Sequence, residues 1–122
     1  MNGFKTRIKL WDKEKGIMLP SAPLWKCDFY NPDISKYILL FSTGLKDENG
    51  KYIFGGDILT LYDSFSLTAY EVRWSTGRFE LHTEDDGYGN PNTEEIWGSY
   101  QMRIIGNIYE TPKLLNRSSS GN

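Results

Sequence analysis

The stretch from Thr68 to Thr83 constrains the fold more than any other. Tyr70, Val72 and Trp74 share one face of an alternating run, and Glu71 and Arg73 share the other. Ser75-Thr76-Gly77-Arg78 breaks the run, and Phe79-Glu80-Leu81-His82-Thr83 resumes it with Phe79 and Leu81 inward. A period of two puts every second side chain on one face of a strand, and a short glycine-bearing break between two such runs makes a hairpin. The aromatic content of 15% supports the same reading, because Tyr, Phe and Trp suit a pleated, half-buried surface.

Strand patterns recur along the chain. Phe4, Thr6, Ile8 and Leu10 face one way, against Lys5, Arg7, Lys9 and Trp11, so the first strand has an apolar inner and a basic outer face. Asp12 to Gly16 is a turn, and Ile17-Met18-Leu19 returns as a short partner. Ser35 caps a short helical turn or gives way to a buried strand over Tyr37 to Phe41. The central stretch Thr43 to Leu59 carries four glycines and the Asn49-Gly50 pair favoured in hairpin turns. Asp57 to Tyr62 and Arg103 to Tyr109 complete the strands, with Gly106 marking a bulge or a close backbone approach. Lys113-Leu114-Leu115 docks after Pro112. Glu84 to Glu95 reads as a long, exposed acidic loop.

Several chemistries are disfavoured. With 14 basic and 16 acidic residues the net charge is −2, which gives no overall bias toward nucleic acid. The one cysteine, Cys27, has no internal disulfide partner, so a reducing cytoplasm is expected. The first residues lack the apolar core of a secretory leader, and no apolar run is long enough to span a bilayer. The glycine stretch lacks the Gly-Lys-[Ser/Thr] and following helix of a phosphate loop, so its glycines are read as turn geometry. One His and one Cys do not make a zinc site, and Glu84-Asp85-Asp86-Gly87 lacks the spacing of a calcium loop. Asp57, just after Gly55-Gly56, is placed to accept hydrogen bonds from turn N–H groups.

Trp11-Asp12-Lys13, Thr43-Gly44-Leu45-Lys46-Asp47 through Asn49-Gly50-Lys51, Gly56-Asp57-Ile58, Val72, Trp74, Phe79 and Ile105-Gly106-Asn107-Ile108-Tyr109-Glu110 with Pro112, Leu114 and Leu115 resemble the YopX family of small phage and prophage proteins. The resemblance spans nearly the whole chain. The segment from Leu24 to Lys36 and the loop from Glu84 to Glu95 depart from the family pattern. It implies a mostly β fold, a phage or prophage origin and life in the bacterial host cytoplasm. It brings no catalytic residue and no cofactor.

Together these readings predict an all-β, antiparallel, partly open barrel or sandwich over residues 1–115, SH3-like in its C-terminal half, and a flexible polar tail over 116–122. The expected core is Phe4, Ile8, Leu10, Ile38, Leu40, Ile58, Leu61, Val72, Trp74, Phe79, Leu81, Ile104 and Ile108. No catalytic, cofactor or metal residue is expected. The leading expectation is a non-enzymatic module that binds a host or phage protein, through a loop bearing Glu84, Asp85, Asp86, Tyr88, Glu94 and Glu95, with self-association as a further expectation. The alternative is a nucleic-acid face of Lys5, Arg7, Lys9, Trp11 and Arg73.

Overall fold

The computed structural model describes residues 6–26, 30, 32–61, 68–85, 88–96 and 102–116. Phe4, Lys5, Cys27, Asp86 and the tail beyond residue 116 lie outside these, and so do the expectations that rest on them. Among the described residues no α-helix forms, and ten strands make two antiparallel five-stranded sheets.

The first sheet contains β1 (Arg7–Asp12), β2 (Ile17–Met18), β3 (Ala22–Pro23), β4 (Tyr37–Lys46) and β5 (Tyr52–Phe54), in the order β2-β1-β4-β5 with β3 on the start of β1. The second contains β6 (Asp57–Leu61), β7 (Ala69–Ser75), β8 (Arg78–Thr83), β9 (Asn92–Glu95) and β10 (Met102–Asn107), in the order β10-β6-β7-β8-β9. Its last strand returns beside its first, so the sheet curls into the half-barrel expected of an SH3-like unit. Short 3-10 turns over Pro32–Lys36 and Pro112–Asn116 lead into β4 and follow β10.

The β7–β8 hairpin forms as its sequence dictates. Ser75 pairs with Arg78, and Thr76 and Gly77 have φ of 49° and 86°, the two positive values that a type I′ turn requires. Ile53, Leu59, Leu61, Tyr70, Val72, Leu81 and Met102 form the core of the second sheet. Expected core residues Ile8, Leu40, Ile58, Leu61, Val72 and Leu81 are buried, while Leu10, Ile38, Phe79, Ile104 and Ile108 are half-buried. Ile58 and Leu59, on opposite faces of β6, are both fully buried, so both faces of this strand are covered.

Two expectations are corrected. Trp74 shares the face of Tyr70 and Val72 but is 63% exposed. The register of β6 on β7 stops at Glu71, so among the described residues no ladder partner flanks Trp74 on that edge. The acidic segment is not all loop either: Asn92 to Glu95 pair with Glu80 to Thr83 as β9. The free edge of β8 supplies unpaired backbone groups, and a short charged strand satisfies it.

The central stretch ties the two sheets together. Gly44, at φ 84°, sits in a bulge of β4 between Ser42 and Lys46. Asp47 then closes the turn. Its Oδ1 accepts the N–H groups of Asn49 and Lys51, both at 2.9 Å, and its Oδ2 accepts the N–H of Ile104 on β10 at 3.2 Å. Glu48 adds a backbone bond to Met102 O at 2.8 Å and a 2.6 Å ion pair with Arg103.

Candidate aromatic cleft

Where β5 turns into β6, the chain leaves the first sheet and enters the second. The turn residues Gly55 and Gly56 bond to both: Gly55 N–H donates to Phe41 O at 3.0 Å, and Gly56 N–H donates to Val72 O at 2.8 Å. Gly56 has φ of +90°, and a Cβ there would lie 2.9 Å from the ring of Tyr109, so both its backbone and its space call for glycine. Beside this turn, residues of β4 and β7 line a cleft of about 680 Å³.

Its walls are Leu39, Leu40, Phe41 and Ser42 from β4 and Glu71, Val72, Arg73 and Trp74 from β7. Side chains alternate along a strand, so a run of four consecutive lining residues brings main-chain atoms as well as side chains to the cleft. Gly55, Gly56, Phe79, Ile108, Tyr109 and Thr6 complete the lining. The cleft has two sides. On the Gly55 side, Phe79 lies 3.4 Å from where a Cβ would sit and meets Trp74 edge-on with ring centroids 4.9 Å apart. Phe41, which is 41% exposed, stands on the opposite wall. On the Gly56 side are Tyr109, stacked on Trp11 at 5.5 Å, and the 3.1 Å ion pair between Arg73 and Glu71. Burial, reinforced by the charge of Glu71, raises the pKa of the Tyr109 hydroxyl, so it stays protonated.

Of the residues proposed for a nucleic-acid face, the described ones, Arg7, Lys9, Trp11 and Arg73, have partners inside the fold. The Arg7 guanidinium donates to Ser21 Oγ and Ser21 O at 3.1–3.2 Å. The Lys9 ammonium sits 4.7 Å from the centre of the Phe54 ring, Trp11 stacks on Tyr109, and Arg73 pairs with Glu71. Sequence reasoning placed Arg73 and Trp74 on strand β7, but the cleft they line depends on where β6 ends, which no local pattern encodes.

The acidic segment divides. Glu84 bonds His82 Nε2 at 2.8 Å, and that bond, strengthened by charge when the ring is protonated, holds the Glu84 carboxyl below its usual range. Asp85 accepts Gly89 N–H at 2.9 Å, Glu94 faces Leu81 across the ladder, and Glu95 pairs with Arg78. Tyr88 projects with 88% of its surface exposed.

Thr93 Oγ1, His82 and Glu84 form a hydrogen-bonded chain through Nδ1 at 2.9 Å and Nε2 at 2.8 Å. The order resembles a nucleophile–base–acid chain. His82 and Thr93 are directly opposed in the β8–β9 ladder, which brings such side chains together without catalysis, and none of the three lines the cleft. Among the described residues no group of three His, Cys, Asp or Glu side chains is placed to hold a metal ion.

Asp57, at the head of β6, accepts Phe54 N–H at 2.8 Å, the turn role read from the sequence. Burial raises its pKa from 3.8 to about 6, against the opposing pull of that bond and of Lys9. The native state therefore holds more protons than the unfolded chain between about pH 4 and pH 6, and stability falls as pH rises through that window. The full drop from this group is roughly 3 kcal/mol. Asp57→Asn keeps a carbonyl acceptor for Phe54 and is expected to flatten that part of the profile. Urea unfolding at pH 4 and pH 7 checks it, and an unchanged slope in the variant refutes it.

The fold and cleft define an all-β protein built from a small sheet and an SH3-like half-barrel. No helix of the described residues is long and apolar enough to cross a membrane. A family model described as YopX protein matches residues 21–116, and the chain belongs to the YopX family. Two solved structures share the fold. Protein EF1440 from Enterococcus faecalis is 23% identical, with a TM-score of 0.58 over 90% of this chain and 97% of that one. Protein yopX from Bacillus subtilis is 19% identical, with a TM-score of 0.52 over 88% of this chain and 96% of that one. A search of curated protein sequences gives no match.

Proposed function

We propose that this chain is a non-enzymatic binding module that holds part of another protein, from a bacterial host or a phage, in the cleft between β4 and β7. The observation that carries the reading is Trp74. A tryptophan 63% exposed, packed edge-on against Phe79 and lining a cleft of about 680 Å³, is placed to serve as an anchor. Tryptophan dominates binding energy at protein interfaces when a partner desolvates it. The volume matches sites that enclose small ligands and short segments of chain.

Nucleic-acid binding along β1 has less support, because Arg7, Lys9 and Trp11 are engaged within the fold.

The test compares partners captured from host lysate by the wild type and by Trp74→Ala. Trp74 is largely exposed, so its loss is expected to shift the melting temperature by no more than about 2 °C. Captured partners are expected to fall at least about tenfold in the variant, the loss of one interface anchor. Equal capture by both proteins refutes the cleft as the binding site. DNA or RNA binding that weakens steeply with salt refutes protein binding as the main function.

A further inference from the structure

We infer that Asn49-Gly50 is a self-modification site. Its spontaneous deamidation is held back by the turn that Asp47 closes, and the isoaspartate it yields loosens the junction of the two sheets. The site is separate from the cleft.

The chemistry follows from the residue pair. The main-chain nitrogen of Gly50 attacks Cγ of Asn49, the bond from Cγ to the side-chain amide nitrogen breaks, and ammonia leaves. The product is a five-membered succinimide. Water opens that ring at either carbonyl and leaves Asp or isoaspartate at position 49. Water is the one co-reactant, and nothing is oxidised or reduced. Asparagine is a thermolabile side chain, and a following glycine has no Cβ to crowd the attack. Asn49 and Gly50 are both exposed, and the space around Gly50 is open, since an added Cβ would meet nothing within 4 Å. The other Asn-Gly pair in the sequence, Asn2-Gly3, lies outside the described residues.

The turn controls access to the reacting nitrogen. Gly50 N–H donates to Asp47 O at 3.0 Å, and a base has to take that proton before the nitrogen can attack. Asp47 Oδ1 holds the N–H groups of Asn49 and Lys51, both at 2.9 Å, and Asp47 N–H donates to Lys51 O at 2.8 Å. The nitrogen is freed when this turn opens. A reaction that proceeds through a locally opened state is slowed by the opening equilibrium. A buried carboxylate thus guards an exposed amide.

Conversion undoes the guard. In isoaspartate the main chain runs through Cβ and Cγ, which adds one methylene between Cα of residue 49 and the nitrogen of Gly50. Three bonds span that insertion: Gly50 N–H to Asp47 O, Lys51 N–H to Asp47 Oδ1 and Asp47 N–H to Lys51 O. A longer chain cannot keep the geometry of all three. The same Asp47 carboxylate reaches β10 through the Ile104 N–H at 3.2 Å, and Tyr52 pairs with Lys46 directly after the turn. Loosening Asp47 therefore slackens the hold on β10 and the pairing of β5 with β4. The new carboxylate also takes the formal net charge from −2 to −3.

The experiment ages the full chain at pH 8 and 37 °C. Peptide mapping by mass spectrometry follows position 49 and separates it from position 2. A protein isoaspartate methyltransferase with labelled S-adenosylmethionine counts the isoaspartate formed. The folded chain is expected to convert at least about tenfold more slowly than the same chain in urea. Asp47→Ala, read below its melting temperature, is expected to convert at least about threefold faster than the wild type. Where that variant does not fold, the comparison with urea decides the gating. Isoaspartate-bearing chain, separated by anion exchange, is expected to exchange the Ile104 amide at least about tenfold faster than unconverted chain. Asn49→Asp adds the charge without the methylene and is expected to keep the wild-type exchange at Ile104. No isoaspartate at position 49 in urea overturns the site. Equal conversion of folded chain and chain in urea overturns the gating, and equal conversion of wild type and folded Asp47→Ala overturns the role of Asp47 in it. Unchanged Ile104 exchange in the converted chain, or equal loosening in Asn49→Asp, overturns the effect of the added methylene on the junction.

Discussion

Asp47→Ala is expected to destabilise the protein by about 3–4 kcal/mol, a fall of roughly 10 °C or more in melting temperature for a chain of this size. Asp47 is buried, and its two oxygens accept three backbone N–H groups, from Asn49, Lys51 and Ile104. Removing the carboxylate leaves buried donors unmet, and each costs about 1–3 kcal/mol. Asn does not rescue the site. Its amide oxygen can serve Asn49 and Lys51, but its NH₂ then meets the Ile104 N–H, donor against donor. The pH dependence separates the variants further. Burial works to raise the Asp47 pKa, but the three backbone donors and the Lys51 charge outweigh it and hold the carboxyl below 3.8. A carboxylate with a depressed native pKa stabilises above its unfolded value, and that contribution is lost as pH falls through the native one. Acid unfolding of the wild type is therefore expected to include a component below about pH 4 that Asp47→Ala lacks. Urea titrations at pH 7 and pH 3 measure both effects. A loss under about 1 kcal/mol at pH 7 would show that water replaces the carboxylate.

Asp47 also shows what a sequence does and does not carry. Its turn was legible: Asn49-Gly50 announces a reversal, and Gly50 has φ of 81°. The β7–β8 hairpin was legible for the same reason, since Thr76-Gly77 sets a local geometry that no distant contact has to supply. The reach of Asp47 to Ile104, 57 residues on, was not, because long-range pairing leaves no local pattern. Trp74 failed in the same way. Alternation puts it on the face of Val72, and alternation is right about the face. Its exposure is set by where β6 ends. Asn92 to Glu95 were read as loop from composition, yet strand pairing there is decided by the vacant edge of β8. The cleft is therefore the least legible feature of all. It arises from two strands outlasting their partners, and each partner ends at the Gly55–Gly56 turn, which reads locally as a simple reversal.

Gly106→Val is expected to cost about 3 kcal/mol and to release the C-terminal 3-10 turn. The reason is close approach rather than backbone conformation, since Gly106 does not have a positive φ. A Cβ at Gly106 would lie 2.1 Å from Thr111 Oγ1 and 2.7 Å from Leu114 Cδ1. Thr111 cannot simply swing aside. Its hydroxyl accepts Asn107 N–H and donates to Asn107 O, both at 3.1 Å, and its own N–H donates to that carbonyl at 2.9 Å. Making room means breaking this clasp and undocking Leu114. Gly106 follows the bulge in β10 and pairs with Ile58, so the strain falls on the pairing of β10 with β6. Gly106→Ala is expected to cost less, about 2 kcal/mol, and to be relieved in part by Thr111→Ala, which deletes the clashing oxygen. A double-mutant cycle on denaturation midpoints should then show a favourable coupling of about 1 kcal/mol between positions 106 and 111. Additive losses would mean that the clash is absorbed elsewhere, by Leu114 alone or by a shift of β10.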